Sequence, residues 1–279
     1  MSTNNNPLAE FIQQHQPLTV ITGAGCSVAS GIPTYRDASG TWLRSDPIQH
    51  QEFLTLENKR QRYWARSYTG WPAIQAALPN QSHEILTELE GKGYIKLLVT
   101  QNVDRLHQRS GHQNVIDLHG RLDRVTCLDC FQVLDREDVQ QQLQTLNPHL
   151  DGQAGSLAPD GDADVANEQV DLVTIPNCTS CGGVLKPDVV FYGGSVDKAL
   201  VDQIYQTIDQ SAGLLVLGSS LMVFSSFRFC RHAHQNSTPI AIVNAGKTRA
   251  DELATLKISD HCETVLEQTK ISLGLHQSA

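Results

Sequence analysis

Four short apolar runs, each ending in small or polar residues, divide the chain into alternating strands and helices. The runs are "LTVITGAG" from residue 18, "YIKLLVTQN" from residue 94, "GLLVLGSS" from residue 213 and "PIAIVNAG" from residue 239. Stretches with helical character, residues 82–91 and 197–211, lie before the second and third runs. This alternation predicts an α/β fold with a doubly wound, Rossmann-like parallel sheet, whose ligand binds at the carboxyl ends of the strands. The four loops after the runs should therefore converge on one site.

Two regions interrupt this alternation and predict a second, smaller lobe. Residues 45–80 carry the charged and aromatic stretch "ENKRQRYWARSYTGWP", which predicts a helical insertion. Residues 126–186 hold four cysteines and an acidic stretch, "DGQAGSLAPDGDADVANEQVD", whose composition predicts a surface loop. The main Rossmann-like domain is then expected to comprise residues 1–44, 81–125 and 187–279.

The composition narrows the class of protein. With 279 residues, 40% of them apolar, the chain is long enough for one large globular domain and a small one. No apolar run approaches the roughly 20 residues that cross a bilayer, so no membrane partner is expected. A net charge of −9 argues against a broad face for nucleic acid. The first basic residue is Arg36, which disfavours secretion and transit signals and predicts a cytoplasmic protein.

Two Cys-x-x-Cys pairs predict a structural zinc site in the small lobe. Cys127 and Cys130 form one pair, and Cys178 and Cys181 form the other. Each pair can present two thiolates in a tight turn, and together they supply the four-sulfur tetrahedron that zinc prefers. A redox dithiol or a chance pairing is the alternative, but neither accounts for two pairs. Four sulfur ligands leave no open coordination position, so the metal should be structural.

The loop after the first apolar run begins as a dinucleotide-binding turn and then departs from it. Gly23 and Gly25 can bring the backbone close to a phosphate, but Val28 stands where the third glycine of the fingerprint belongs. The residues that follow, "ASGIPTYRD", do not restore the pattern. The pattern alone leaves open what the second half of this loop does.

Polar residues follow the second apolar run, where the ligand of a parallel sheet binds. Gln101, Asn102 and Asp104 are candidates for the site, although an isolated Asn-x-Asp more often caps the helix that follows. His119 is a candidate base because, of the eleven histidines, it is the one that stands between two candidate motifs. A lone histidine is more often a hydrogen-bonded core residue, so this alternative stays open.

Three further segments carry weaker signals. "GSSLMVFSS" at residues 218–226 and "IVNAG" at residues 242–246 place small hydroxyl and amide groups at strand ends, although Gly-Ser-Ser is also a common turn. The extended run "GGVLKPDVVFYGG" breaks at Gly193 and Gly194, which favours an edge segment able to pair with an extended peptide. A buried strand is the equal alternative for this run.

Taken together, these segments resemble the sirtuin family. "GAGCSVASGIPTYRD", "TQNVDRLH", "LHG", the two cysteine pairs, "KPDVVFYGG", "GSSLMV" and "IVNAG" occur in the order and at the spacing of that family. "RVTCLDC" and "PDGDADV" are similar to its class II branch, and the absence of a transit-peptide pattern favours a bacterial member. The resemblance implies NAD as co-substrate, one structural zinc ion, and acylated protein lysines bound as an extended peptide. The implied products are nicotinamide, free lysine and O-acyl-ADP-ribose, and a mono-ADP-ribosyltransferase using the same NAD site is the alternative.

The resemblance also implies which residues bind NAD. Phosphates and the adenine ribose would be held by two strand-end loops, through Gly23, Ala24, Gly25, Ser27, Gly218, Ser219 and Ser220. Asn244 and Cys262 would contact the adenosine, and Arg36 would reach into the cofactor site from a mobile loop of residues 31–42. Gln101 and Asn102 would lie along the nicotinamide ribose, and Asp104 would bind the nicotinamide carboxamide.

His119 is implied to be the general base, and Asn102 to position the ribose and an ordered water. The acyl oxygen would attack the anomeric carbon as nicotinamide leaves, and His119 would take a proton through the ribose hydroxyls. An imidazole pKa of about 6.5 suits this task at neutral pH. A non-catalytic NAD-binding module and a redox dehydrogenase are the other classes of function, and Asn102, Asp104 and His119 in one chain argue against the first. A monomer is expected.

Two features depart from the family pattern or leave it open. Residues 192–194 read Tyr-Gly-Gly where the family usually has Phe-Gly-Glu, so the affinity or register of the peptide is expected to differ. The preferred acyl group is undecided. Tyr63 and Arg66 have the Tyr-x-x-Arg spacing of acid-reading sirtuins, whereas Trp64 and Trp71 could line an apolar channel for longer chains.

Overall fold

The main domain is built on a six-stranded sheet. The computed structural model describes residues 6–35, 41, 47–150, 155, 157–163, 170 and 172–275. The strand order is β3-β2-β1-β7-β8-β9, and every neighbouring pair is parallel. The strands are β1 (Leu18–Thr22), β2 (Ile95–Thr100), β3 (Val115–Asp117), β7 (Gly213–Leu217), β8 (Ile240–Val243) and β9 (Leu256–Ile258). β2 and β3 are added on one side of β1, whereas β7, β8 and β9 are added on its other side. The direction of the strand order therefore reverses between β1 and β7.

Helices cover both faces of this sheet. One face packs against α1 (Pro7–Gln14), α4 (Gln81–Gly91) and α9 (Cys262–Ser272), and the other packs against α7 (Lys198–Asp209) and α8 (Phe224–Gln235). β1 and β7 are buried along their whole length because both of their faces are covered. Neighbouring residues of β1 therefore point into different cores: Val20 packs towards α4, and Ile21 packs towards α7.

A smaller lobe lies beside the main sheet. It contains a three-stranded antiparallel sheet of order β5-β4-β6. Its elements are β4 (Gly120–Cys127), β5 (Val133–Asp135), β6 (Leu185–Val189), α2 (His50–Thr55), α3 (Glu57–Ala76) and α6 (Arg136–Leu146). Phe53, Trp64, Val125 and Leu143, which come from four different elements, are fully buried in its core. The short helix α5 (Leu106–Arg109) follows β2.

The predicted fold class is confirmed by this architecture. The helix expected at residues 197–211 begins at Lys198, and the Asp197 side chain caps it by accepting from the backbone N–H groups of Ala199 and Leu200. Within the insertion expected at 45–80, residues 50–55 and 57–76 are helical, as α2 and α3. The run "GGVLKPDVVFYGG" contains β6, which lies at the edge of its sheet, as the peptide-pairing interpretation requires. No helix in the described part of the chain combines the length and the apolar character that a membrane span needs.

One expectation about the small lobe is wrong for the part that the structure describes. The acidic stretch was expected to be a surface loop, but residues 157–163 form a tight turn against α3, in which Ala158 is 2% and Asp162 is 6% exposed. Gly70 explains this position, because a Cβ atom there would meet the carbonyl oxygen of Gly161. The backbone contact between a helix and a turn overrides the polar composition of the segment. Residues 151–154, 156, 164–169 and 171 lie outside the described residues.

Candidate active site

A cavity of about 810 Å³ opens at the carboxyl ends of the central strands, where the strand order reverses. This is the position at which doubly wound sheets bind their ligands, and the volume is that of a small-molecule site. The four loops that follow β1, β2, β7 and β8 all contribute to its wall, as the apolar runs predict. Of the predicted site residues, those that line it are Gly23, Ala24, Gly25, Gln101, Asn102, His119, Gly218, Ser219, Ser220, Asn244 and Cys262.

Two of the predicted residues that the structure describes do not form part of this wall. Ser27 and Asp104 are buried behind it, at 0% and 6% exposure. Arg36 lies outside the described residues, as do residues 37–40 and 42 of the loop at 31–42.

The glycines after β1 are required by the neighbouring strand loop. Gly23 and Gly25 donate backbone hydrogen bonds to the carbonyl oxygens of Leu217 and Gly218, at 3.0 and 2.9 Å. A Cβ atom on Gly25 would lie 2.6 Å from the Cα atom of Gly218. Gly218 itself has a φ of +62°, in the left-handed region that glycine tolerates best. The two loops can therefore approach closely enough to form one continuous wall of the cavity.

Substitution of Gly25 by alanine is expected to destabilise the protein by about 1–3 kcal/mol, because the new methyl group overlaps backbone that cannot turn away. Thermal unfolding would measure the loss. Gly91→Ala is the matched control, since no atom lies within 4 Å of a Cβ placed there, at the end of α4. An unchanged unfolding temperature for Gly25→Ala would show that the loops separate without cost.

Asn102 is held by a buried hydrogen-bond chain. Its Nδ2 atom donates to the carbonyl oxygen of Gly23 at 3.1 Å and to Oγ of Ser27 at 3.0 Å. Ser27 in turn donates to Oδ2 of Asp104 at 2.7 Å, and Oδ1 of Asp104 accepts from the backbone N–H of Leu106 at 2.9 Å. Asp104 thus forms a local turn with the backbone N–H of Leu106, whereas the N-cap residue of α5 is Arg105, and Asp104 also anchors Asn102 through Ser27. Burial raises the pKa of Asp104.

Gln101 joins the loops that follow β2 and β7. Its Nε2 atom donates to Oγ of Ser219 at 2.7 Å. The backbone N–H of Gln101 donates to the carbonyl oxygen of Thr22 at 3.0 Å, which also ties the loop to β1. Hydrogen bonds therefore connect the loop after β2 both to the loop after β7 and to the end of β1 in the middle of the cavity.

His119 lies between two hydrogen-bond partners. Its Nδ1 atom is 3.2 Å from the carbonyl oxygen of Gln101, and its Nε2 atom is 2.8 Å from Oγ of Ser225. A carbonyl oxygen can only accept, so we assign the ring proton to Nδ1 and the lone pair to Nε2. Burial lowers the pKa of His119 to about 4, against the opposing effect of the Gln101 carbonyl, and the nearby charge of Arg228 lowers it further. The side chain is thus a neutral imidazole at pH 7, with Nε2 as its basic atom.

The far end of the cavity is formed by the loops after β8 and β9. Asn244 donates from Nδ2 to the carbonyl oxygen of Gly246 at 2.9 Å, which sets the turn that lines the wall. Cys262 begins α9, and its Sγ atom is buried 3.8 Å from the carbonyl oxygen of Val243. The thiol faces the core, so Cys262 can present only its backbone to a ligand.

The small lobe contributes the opposite wall. Tyr63 and Arg66 of α3 line the cavity, and Nε of Arg66 is 3.3 Å from Oδ2 of Asp162 in the turn at 157–163. Trp64 and Trp71 do not line it; they are 0% and 6% exposed and pack in the lobe itself. The suggested apolar channel between the two tryptophans is therefore wrong for this cavity.

The four cysteines meet at one point. Their Sγ atoms all lie within 4.8 Å of one another, with Cys127 and Cys181 at 3.5 Å and Cys130 and Cys178 at 3.7 Å. A Zn–S bond of about 2.3 Å places the sulfurs of a regular tetrahedron about 3.8 Å apart, so the arrangement fits zinc. None of the four is in a disulfide, so all four thiols can serve as metal ligands.

Sequence reasoning missed Ser225 and Arg228. Both line the cavity next to His119, and both belong to the first turns of α8. Ser225 belongs to the segment "GSSLMVFSS" at residues 218–226. No sequence pattern, however, indicates which side chain a serine at this position contacts. Its contact with His119 spans 106 positions in the sequence.

The chain combines a Rossmann-like core, a four-cysteine metal module and a polar cavity at the strand ends. This combination defines a class of nucleotide-binding proteins. Within that class the model of the Sir2 family matches residues 23–225, and the chain belongs to this family, the sirtuins. The resemblance found in the motifs is confirmed.

Curated relatives span almost the whole chain. It is 48% identical over 262 residues to NAD-dependent protein deacetylase 2 of Bradyrhizobium diazoefficiens, covering 94% of this chain and 96% of the relative. It is 45% identical to the human NAD-dependent protein lipoamidase sirtuin-4, mitochondrial, covering 93% of this chain and 83% of the relative. A solved structure described as "Sir2-p53 peptide-NAD+" aligns with a TM-score of 0.77 at 25% identity, over 99% of this chain and 100% of the other.

Proposed function

We infer that this chain is an NAD-dependent protein-lysine deacylase that yields nicotinamide, free lysine and O-acyl-ADP-ribose. The observation that carries this inference is the neutral imidazole of His119 in the wall of the cavity that the glycine loops at 23–25 and 218–220 also line. Relatives named NAD-dependent protein deacetylases support the same reaction. No observation favours ADP-ribosyl transfer over it.

The cavity residues suit NAD as co-substrate, whose bond between nicotinamide and ribose supplies the reactive carbon when NAD is bound. The backbone groups of residues 23–25 and the hydroxyls of Ser219 and Ser220 would hold the phosphates and the adenine ribose. Asn244 and the backbone of Cys262 would contact the adenosine. Arg36 stays a proposed contact on the sequence pattern alone.

Asn102 and His119 would do the chemical work around the nicotinamide ribose. The hydrogen bonds from Asn102 to Gly23 and Ser27 hold its amide, leaving the side-chain oxygen for a ribose hydroxyl or a water. Gln101 would lie along the same sugar. Nε2 of His119 would accept a proton from the reacting hydroxyl once that hydroxyl takes the place of Oγ of Ser225, because Nδ1 carries the ring proton and donates it to the Gln101 carbonyl. Asp104 acts through Ser27 from behind the wall.

The acylated lysine is proposed to enter as part of an extended peptide. Residues 191–196 line one side of the cavity mouth, directly after the edge strand β6. Met222, Val223 and Phe224 also line the cavity and are 36%, 36% and 49% exposed, so three consecutive apolar side chains are accessible there. An extended backbone between these two segments would gain hydrogen bonds and apolar contact.

The remaining features are predictions from the sequence. We propose residues 45–80 and 126–186 as the small lobe, the latter with one structural zinc, and 1–44, 81–125 and 187–279 as the NAD-binding domain, from which the first part of β4 and the last part of β6 extend into the sheet of the small lobe. Class II membership, a bacterial source, cytoplasmic location and a monomeric state belong to the same set.

The proposed reaction is tested by nicotinamide release over a panel of acyl-lysine peptides: acetyl, succinyl, hydroxymethylglutaryl and lipoyl. We expect release to depend on the acyl group and to match deacylated peptide one to one. NAD labelled in its adenosine should leave the label in a soluble acyl ester. Label retained on protein, with the acyl-lysine intact, would instead identify an ADP-ribosyltransferase.

The same panel tests whether Arg66 reads an acidic acyl group. If a distal carboxylate pairs with its guanidinium, Arg66→Ala should lower succinyl turnover about 10- to 100-fold relative to acetyl turnover, the effect of losing a charge-assisted hydrogen bond. Arg60→Ala is a suitable control, since this residue of α3 instead donates to the carbonyl oxygens of Phe53 and Leu54. Unchanged succinyl turnover in Arg66→Ala would exclude the acid-reading role.

A further inference from the structure

Arg228 is a partly buried cation in the wall of the cavity, and the proposed reaction assigns it no role. It lies on α8 one helical turn after Phe224, and its Cζ atom is 5.4 Å from the centre of the Phe224 ring. Its Nε atom is buried without a hydrogen-bond partner, and no carboxylate in the described part of the chain pairs with its guanidinium. A partly desolvated charge without a partner is unfavourable, so this group suits an anion that a ligand supplies.

The stretch of chain around Arg228 lacks acidic residues. The protein has 30 aspartates and glutamates, but residues 210–250 contain none of them and include four basic residues, Arg228, Arg231, Lys247 and Arg249. Arg249 donates from Nη1 to the carbonyl oxygen of Met222 at 3.2 Å, and its Cζ atom is 4.4 Å from the centre of the Phe227 ring. The exposed apolar segment at 222–224 is therefore flanked by positive charge on an acidic protein.

The carboxylates that line the cavity belong to other elements. Asp160 and Asp162 lie in the turn against α3, and Asp260 precedes α9. Residues 189–196, which also line the cavity, carry no charged side chain, and Gly194 stands where the family usually has glutamate. The segments proposed to bind the extended peptide therefore present positive charge and no negative charge.

We propose that Arg228 binds an acidic side chain of the substrate peptide, next to the acyl-lysine, so that lysines in acidic sequences are preferred. A guanidinium donates two parallel hydrogen bonds to a carboxylate, and the Phe224 ring orients the guanidinium by lying against it. The preference among deacylation substrates rests on the proposed function, whereas the binding of an acidic peptide does not.

The kinetic test uses acetyl-lysine peptides that differ only by Glu or Gln at each position flanking the lysine. The measurement is kcat/KM of the wild-type chain at low ionic strength, where an ion pair is least screened. At one flanking position we expect Glu to be favoured about three- to tenfold, the effect of a charge-assisted hydrogen bond at a partly exposed site. Arg228→Gln should remove this preference, and Arg228→Glu should reverse it.

Arg231→Gln is the matched control. Arg231 is an exposed residue of the same helix that does not line the cavity, so its loss removes the same charge from α8 without removing the proposed contact. The preference for Glu should persist in this variant. An equal loss in Arg231→Gln, or a wild type that does not distinguish Glu from Gln at any position, would contradict the proposal.

Two other anions are distinguished by the same variants. If Arg228→Gln lowered succinyl relative to acetyl turnover equally on the Glu and Gln peptides, the guanidinium would read the acyl group instead. If it raised the KM for NAD and left the preference for Glu intact, the guanidinium would hold a phosphate of the cofactor. Either result would overturn the role of Arg228 in peptide binding.

Binding is measured separately, by the fluorescence anisotropy of labelled Glu and Gln peptides, so that this readout does not depend on turnover. Tighter binding of the Glu peptide, lost in Arg228→Gln and kept in Arg231→Gln, would support the proposal. A chain that shows this binding but deacylates no peptide would count against the proposed function alone. Equal binding of the two peptides to the wild type would overturn the acidic preference whatever the activity.

Discussion

Replacement of His119 by alanine is expected to abolish acyl-dependent nicotinamide release while leaving NAD binding intact. A positioned general base contributes about 10²- to 10⁴-fold to a rate, and alanine has no group that could accept the proton. Initial rates with an acyl-lysine peptide would measure the loss, and calorimetry would measure NAD affinity. His232→Ala is the control, because that histidine of α8 pairs with Asp209 on the surface. Unchanged release in His119→Ala would exclude His119 as the base.

The pH dependence of the same reaction follows from the burial of His119. The sequence suggested an ordinary imidazole pKa, whereas burial lowers the pKa of His119 to about 4. The neutral, basic form is the one present above that pKa, so the rate should hold as the pH falls from 7 to 6 and decline only at more acidic values. An acid limb centred at about 6.5, the ordinary value for histidine, would show that the ring is solvated during turnover.

Removal of the metal from the four-cysteine site is expected to unfold the small lobe. Structural zinc contributes about 10 kcal/mol or more to small modules, which is comparable with the whole stability of a domain. The two cysteine pairs are separated by residues 131–177, so the metal also closes a long segment of chain. Metal analysis should find one zinc ion in the wild type, and Cys178→Ser should lose both the metal and the cooperative unfolding of the small lobe.

The control for the metal prediction is Cys230→Ala, which removes a cysteine buried in the main domain, away from the cluster. Its zinc content should remain one ion per chain. A Cys178→Ser variant that retained a wild-type unfolding temperature would mean that packing alone, around residues such as Val125 and Leu143, holds the lobe.

The features that could be predicted from the sequence are those that a local residue pattern determines. Alternating apolar runs predicted the parallel sheet, because a strand buried on both faces has few polar positions. Paired cysteines predicted the metal cluster, since their spacing reports a turn with two thiolates. The ends of the runs predicted the loops that line the cavity, because parallel strands deliver all their carboxyl ends to the same edge.

The features that were missed or mistaken depend on contacts between distant segments. The acidic composition of residues 157–163 predicts a solvated loop. It gives no indication that Gly70 of α3, which lacks a Cβ atom, allows the backbone of this segment to pack against the helix. The hydroxyl of Ser225 meets His119 only because α8 begins beside the loop after β3. The pKa of His119 is likewise set by the depth of burial, which no single motif encodes.

The contact between Gly25 and Gly218 has a consequence for how this family can vary. A Cβ atom on either residue would fall within 2.6 Å of backbone belonging to the other loop. No compensating change elsewhere in side-chain size can make room, since the obstruction is main chain on both sides. The two positions should therefore be inherited together as glycine, and a lineage that loses one is expected to have remodelled both loops and given up the ancestral nucleotide.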